Sequence, residues 1–362
     1  MLKRKSLIST GIPIAILLGS CGANFQSVEN FSKNRERVQQ ASNGFAEDLY
    51  QSCLRRARYV KLVPDNGIST RNERRESCET TERPDSDNFK NAVSVLIEYM
   101  DTLGGIASGK GLSLDNSIDN LGQSIKDLSI SGKKLDANAV DGGNKILKVL
   151  FDLATKKIRQ DALQKAIVCS NEPIHKYVTG NSVPTVDLNG VDLYKPATGG
   201  LIFLVENGYL IKNFSQDSSK GGTLAIEVNA INTYYVSYFS FLNKLGTDRE
   251  INQSNYQQVI ERITVGESLT ADYNKAIEIV AEKQQAAKAY NQILFSTVKA
   301  HNQLRKEFDR GLNSNNIDQL CQFGSKVSFK KIDEQKMQRI QKIINEYVAL
   351  VKPLVEQVNR AF

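Results

Sequence analysis

An unbroken line of residues spaced alternately by four and three constrains this chain more than any other feature. Leu269, Tyr273, Ala276, Val280, Ala287, Tyr290, Leu294, Leu304 and Phe308 lie on that line, and Lys283, Thr297 and His301 complete it. The spacing keeps one face of a helix pointed at a neighbour, so it predicts a single helix from about Glu267 to Arg310, roughly 65 Å long. A helix with one apolar stripe needs partners that bury it. Other segments supply matching stripes. Val38, Ala41, Phe45, Leu49 and Cys53 mark a helix over about Ser32 to Leu62. Phe89, Val93, Leu96, Met100 and Leu103 follow a start at Asp85-Ser86-Asp87 and end at Gly104-Gly105.

Leu114, Ile118, Leu121, Ile125 and Leu128 form a short seam that Gly132 stops. Ile146, Val149, Leu150, Leu153 and Ile158 open a helix reaching about Cys169. Leu224, Val228, Ile231, Tyr235, Tyr238, Leu242 and Leu245 mark an aromatic-rich helix. Met337, Ile340, Ile344, Tyr347, Val351, Leu354 and Val358 mark the last one, with Pro353 as a kink. Stripes of this kind predict an all-α fold: an elongated antiparallel bundle with coiled-coil-like helices. One irregular segment, 170–223, interrupts it with Pro173, Pro184, Pro196 and several glycines. Within it, Leu201 to Ile211 reads equally as a buried helix or as strands. Val186 to Tyr194 reads as a hairpin around Asn189-Gly190. Between Pro64 and Pro84 the chain has almost no apolar residues and is expected to be a polar loop, with a short helical piece around Cys78.

The first residues follow another logic. Lys3, Arg4 and Lys5 precede an apolar run from Leu7 to Leu18, which is too short for the ~20 residues of a membrane-spanning helix. That is the layout of a secretory signal. The run ends in Leu18-Gly19-Ser20-Cys21, which resembles the lipobox of bacterial lipoproteins. The resemblance covers residues 1–21 only. It implies removal of 1–20, lipidation of Cys21, and a tether over 21–30 joined to a helical bundle domain over 31–362. Two or three acyl chains give stable membrane attachment where one does not. Gly22, in place of Asp, implies the outer membrane if the source is Gram-negative, facing periplasm or cell surface. Removing Lys3, Arg4 and Lys5 takes the formal net charge from +7 to +4. So mild a value, scattered among acids, argues against a nucleic-acid partner. The clusters Arg55-Arg56-Arg58 and Arg71 to Arg75 read as solvated faces.

Cys53, Cys78, Cys169 and Cys321 remain after Cys21. An even number in an exported chain reads as disulfides, and of three pairings Cys53–Cys78 with Cys169–Cys321 is preferred. The first would staple the polar loop to the first helix. Metal ligation is the rival reading, weakened by the lack of C-x-x-C and of a second His near His175 or His301.

Known chemistry is hard to place. Gly104 to Gly111 has a glycine five residues before Gly109-Lys110, as a phosphate loop requires. Gly111, however, stands where a Ser or Thr must hold magnesium. Ser131-Gly132-Lys133-Lys134 has S-x-x-K spacing without its companion motifs. His301 on the helix seam reads as a buried polar residue fixing register. Glu278 and Glu282 read as solvent-side charges. No enzyme, cofactor or metal site is expected. The expectation is a lipid-anchored envelope protein acting as a helical interaction or scaffold module, with a protein partner. The Tyr/Phe-rich helix from Leu224 to Leu245 either fills the core or offers aromatic anchors. The competing reading is a membrane-active, pore-forming-like protein whose hydrophobic hairpin would be Gly199 to Ile211.

Overall fold

The computed structural model describes residues 25–60, 67–109, 118–154, 159–181, 184–186, 192–194, 199–210, 221–244, 256–309, 317, 319–322 and 332–362. It is an all-α helical bundle. The helices are α1 (Gln26–Lys33), α2 (Arg35–Arg58), α3 (Gly67–Ser77), α4 (Arg83–Ser108), α5 (Ile118–Asp127), α6 (Ala137–Ala154), α7 (Arg159–Thr179), α8 (Leu201–Leu204), α9 (Thr223–Lys244), α10 (Tyr256–Phe308) and α11 (Glu334–Ala361). Two two-stranded antiparallel ribbons accompany them. One pairs Ile130 with Lys133, and the other pairs Val186 with Asp192. The turn at Asn189-Gly190 lies outside the described residues, as do Leu114 and residues 1–24.

Helix α10 organises the bundle. Its 53 residues extend about 80 Å at 1.5 Å per residue. Helix α2 crosses it antiparallel, with Ser42 Oγ 3.0 Å from Tyr290 Oη and Lys283 paired to Asp48 at 3.1 Å. Helix α7 also runs antiparallel to it, through the Gln164 to Phe308 and Asn171 to His301 contacts. So does α11, through Thr297–Tyr347 and Glu307–Arg339. The seam from Ala276 to Phe308 is filled as its spacing requires: Ala276, Val280, Ala287, Tyr290, Leu294, Thr297, His301, Leu304 and Phe308 are all buried.

The chain has 13 Tyr and no Trp, and tyrosines make much of the interior. Phe45 sits at its centre, with ring centroids 5.0 Å from Phe89, 4.8 Å from Tyr209 and 4.9 Å from Tyr290. A buried tyrosine must satisfy its hydroxyl. Tyr177 donates to the Ala92 carbonyl at 2.7 Å, Tyr99 meets His301 Nε2 at 2.6 Å, and Tyr209 donates to Asp48.

Several boundaries differ from those the sequence suggests. The stretch expected as a tether up to residue 30 is already helical from Gln26, and Phe25, Val28 and Phe31 are buried in the core. The expected polar loop is instead helix α3, a π-helical turn (Cys78–Glu82) and the start of α4. Its Arg and Glu residues are competent helix formers, and ion pairs with a disulfide replace an apolar face. Gly104-Gly105 do not end α4, which runs on to Ser108. Gly104 is needed for close approach, because a Cβ there would collide with Ser32 of α1.

The single helix expected up to Cys169 is two, α6 and α7, packed antiparallel. They approach so closely that a Cβ on Gly142 would lie 2.7 Å from the Pro173 carbonyl oxygen. Helix α7 continues through Pro173 to Thr179, so the irregular segment does not begin at 170. Leu201 to Tyr209 is neither a hairpin nor strands. It is α8 followed by a π-helical turn (Val205–Tyr209), with Leu201, Ile202, Leu204, Val205 and Tyr209 buried. The last expected boundary to shift is the start of α10, at Tyr256 and not Glu267. Among the described residues, no helix is long and apolar enough to cross a membrane.

Candidate functional site

Of the residues singled out by sequence, Cys21 lies outside the described residues. The other four cysteines form two bonds, Cys53–Cys78 and Cys169–Cys321, with Cα atoms 5.7 and 5.4 Å apart. Their sequence separations are 25 and 152 residues. Loops of those lengths stabilise by about 3.5 and about 5 kcal/mol in the chain-entropy model. Cys53–Cys78 joins α2 to the π-helical turn. Beside it Arg56 pairs with Glu82 at 2.8 Å, and the Arg83 guanidinium lies 4.9 Å above the Tyr50 ring. Cys53, Cys78 and Glu82 come within ligand distance of one another, but both sulfurs are committed to the disulfide and offer no thiolate.

Among the described residues, α9 and the first part of α10 form an arm. The two helices run antiparallel. Tyr273 Oη donates to Asn232 Oδ1 at 3.0 Å, and the Tyr235 and Tyr273 rings meet edge to face at 5.5 Å. Tyr234, Tyr235, Tyr238 and Phe239 stack on one another and on Tyr59, so most of this aromatic cluster serves packing. Phe241 does not: it is 59% exposed. Residues 257–275 of α10 contain no buried residue. Val236, Phe241, Ile260, Ile263 and Val265 are five of the seven large apolar side chains exposed among the described residues. All five belong to this arm, toward the end away from the bundle. Five apolar side chains left to solvent on one helical pair single that pair out as a candidate interaction surface.

A buried charge cluster clamps the base of the arm. Arg55 on α2 pairs with Asp48 at 2.7 Å and with Glu227 of α9 at 2.6 Å, and Lys283 of α10 pairs with Asp48. Ser52 donates to Glu227 at 2.5 Å. Asp48 and Glu227 are 3% and 1% exposed, so neither carboxylate survives there without its cations. Burial pushes the Asp48 carboxyl up, but the Arg55 hydrogen bonds and charge, with Lys283 and Tyr209, outweigh it and hold the group below its usual range. Arg55 is therefore not part of a solvated basic face. Its basic neighbours Arg56 and Arg58 suggested solvent. The relevant signal was instead its seven-residue spacing from Asp48, which puts both on one side of α2.

A cavity of about 550 Å³ opens between α6, α7 and the C-terminal end of α10. Lys145, Lys148, Lys165, Lys176 and Arg305 line it, facing Asp152 and Glu172, and the Cys169–Cys321 bond forms part of its wall. Lys165 and Asp152 pair at 2.7 Å with both side chains buried, and Lys165 also donates to the Gln322 carbonyl. Lys176 pairs with Glu172 at 2.6 Å. The hydrogen bond from Lys176, with the charges of Lys176, Lys145 and Arg305, lowers the Glu172 carboxyl against the opposing effect of burial. No local motif announced this cavity, because its cations come from two consecutive helices, α6 and α7, and from the distant end of α10.

His301 belongs to the core, where its Nδ1 lies 3.1 Å from Asn171 Oδ1 and its Nε2 2.6 Å from Tyr99 Oη. Burial, helped by the Arg305 charge, pushes its pKa down to about 3. Glu278 and Glu282 are exposed on α10. Compared with known proteins, the chain matches no family model, no curated protein and no solved structure.

Proposed function

We propose that this chain is a lipid-anchored envelope protein that acts as a helical interaction module, presenting the α9–α10 arm to a protein partner. One observation carries the partner half of the reading: among the described residues, most of the exposed large apolar side chains are concentrated on a single helical pair. A helix pair offers a stiff ridge, and exposed side chains such as Ile263 and Phe241 are suited to enter an apolar groove on a partner. The rest of the molecule supports that use. Helix α2 and a buried ion cluster fix the base of the arm, so the exposed residues of α9 and α10 are carried on helices.

The anchor half rests on Leu18-Gly19-Ser20-Cys21 and its resemblance to a lipobox. A tether at Cys21 would confine the arm to partners at the membrane surface. The phosphate-loop and S-x-x-K spacings supply no competing activity, and the reading assigns no catalytic residue.

Crosslinking in the native envelope tests the partner half. The wild-type chain is expected to give a discrete adduct that disappears when Ile260, Ile263 and Val265 are all changed to Ser. An adduct that persists unchanged in that variant refutes the arm as the contact surface. Metabolic labelling with palmitate tests the anchor. Label is expected on the wild type and not on Cys21→Ser, and an unlabelled wild type removes the lipoprotein half of the proposal.

A further inference from the structure

The cavity between α6, α7 and the end of α10 is more charged and more open than helix packing requires. A packed interface between helices excludes water and leaves few voids. Here a space of about 550 Å³ is kept, well within the range of small-molecule sites. Its two parts differ in chemistry. Val149, Val168, Pro173, Ile317 and the Cys169–Cys321 bond give it an apolar wall. The charged part of the cavity has Lys145, Lys176 and Arg305 about the Glu172 carboxylate, while the Asp152 carboxylate is paired to buried Lys165.

We propose that this cavity binds a small phosphate monoester, its phosphate held by Lys145, Lys176 and Arg305 and its organic part laid against the disulfide wall. The internal charges are only loosely committed. Lys145 pairs with Asp141 and Arg305 with Asp309 through i,i+4 contacts on the helix surfaces. Exposed pairs of that kind are worth at most about 0.5 kcal/mol and exchange readily for a better anion. Lys148, also on the wall, has no ion-pair partner among the described residues. A phosphate monoester brings nearly two negative charges and three acceptor oxygens to one point, which matches three cations around a small volume. Glu172 gives the site its selectivity. A singly charged anion gains too little to displace the Lys176–Glu172 pair, whereas a doubly charged one replaces it. The buried Lys165–Asp152 pair, neutral as a unit, also lines the cavity and holds the segment at Gln322 through the Lys165 hydrogen bond.

The site is independent of the arm, and its failure leaves the interaction reading untouched. Titration calorimetry on the whole disulfide-bonded chain, with phenyl phosphate as probe, tests it. Binding is expected with Kd below about 1 mM, and weakening several-fold as salt rises from about 50 to 300 mM. Arg305→Gln and Lys176→Gln are each expected to lower affinity by about tenfold while leaving the melting temperature within a few degrees. Lys352→Gln, on the exposed face of α11, is expected to leave affinity unchanged. Phenol alone is expected not to bind.

Glycerol phosphate and a short-chain phosphatidic acid below its micellar concentration separate the sources of the ester. Binding of the soluble ester alone points to a free metabolite, and tighter binding of the lipid points to a headgroup; either supports the site. No binding of any phosphate ester at about 5 mM overturns the proposal. So does binding that Arg305→Gln and Lys176→Gln both leave intact, because that would be adventitious association elsewhere.

Discussion

From Val259 to Tyr273 and from Ala276 to Phe308, α10 carries one continuous alternation of three- and four-residue steps. In the first stretch Val259, Arg262, Gly266, Leu269 and Tyr273 are only half-buried, and the residues between them face solvent. In the second stretch the same line is buried at nearly every position, because α2, α7 and α11 close around it. The first stretch has α9 beside it. Periodicity therefore fixes which face of a helix turns inward and leaves undetermined how many neighbours it meets. That number decides whether a segment is core or surface. Each apolar side chain buried in the second stretch contributes roughly 1.5–3 kcal/mol relative to exposure, and the first stretch forgoes most of that.

Substitutions separate the two regimes. The largest effect is expected for Tyr290→Ala, which removes the ring stacked on Phe45 and should cost about 3–5 kcal/mol in urea unfolding. Next, Glu227→Ala leaves Arg55 with Asp48 alone at the base of the arm. Arg55 is partly exposed and retains one partner, so the expected cost is about 2–3 kcal/mol, below that of a fully stranded buried charge. Equal effects from Glu227→Ala and from an exposed control such as Glu282→Ala would show that the cluster does not clamp the arm.

The buried half should also respond to acid. His301 has a folded pKa of about 3, against an unfolded value near 6.5. Its folded pKa is depressed, so the unfolded chain takes up the proton first. The contribution is whole above about pH 6.5 and falls by at most about 1.4 kcal/mol per unit as pH drops toward 3. Replacing His301 by Gln is expected to flatten unfolding free energy across that window. An unchanged acid slope would mean that other groups carry it. The smallest effect belongs to the arm: Ile263→Ser should change stability by no more than about 0.5 kcal/mol, as for other surface sites. A loss of 2 kcal/mol or more in chemical denaturation would show that Ile263 is packed, and the contrast would fail.

Much of this was legible in the chain. Apolar spacing reports the buried face directly. The seams of α2 and α4 named buried residues throughout, and those of α9, α10 and α11 did so except at positions such as Tyr238, Leu269, Tyr273, Met337 and Leu354, which are half-buried. The early part of α10 was missed because Arg262 and Gly266 stand at seam positions and break the apolar pattern there. Residues 67–82 were read as loop with only a short helical piece around Cys78 because they lack an apolar stripe, yet they are helical throughout, held by Cys53–Cys78 and by ion pairs such as Arg56–Glu82. Arg55 was misread for a related reason, since sequence shows its basic neighbours but not the carboxylate that α9 brings to it. The cavity was invisible for the same cause. Lys145, Lys176 and Arg305 meet only after α6, α7 and α10 have packed.

Hydrogen exchange resolved along α10 tests the central contrast most directly. Amides from Ile277 to Phe308 are expected to exchange more slowly than those from Glu261 to Lys275 by at least about a hundredfold, with the change falling near Ala276. Uniform protection along the whole helix would mean that the first part is covered as well as the second, and the arm would not be a free surface.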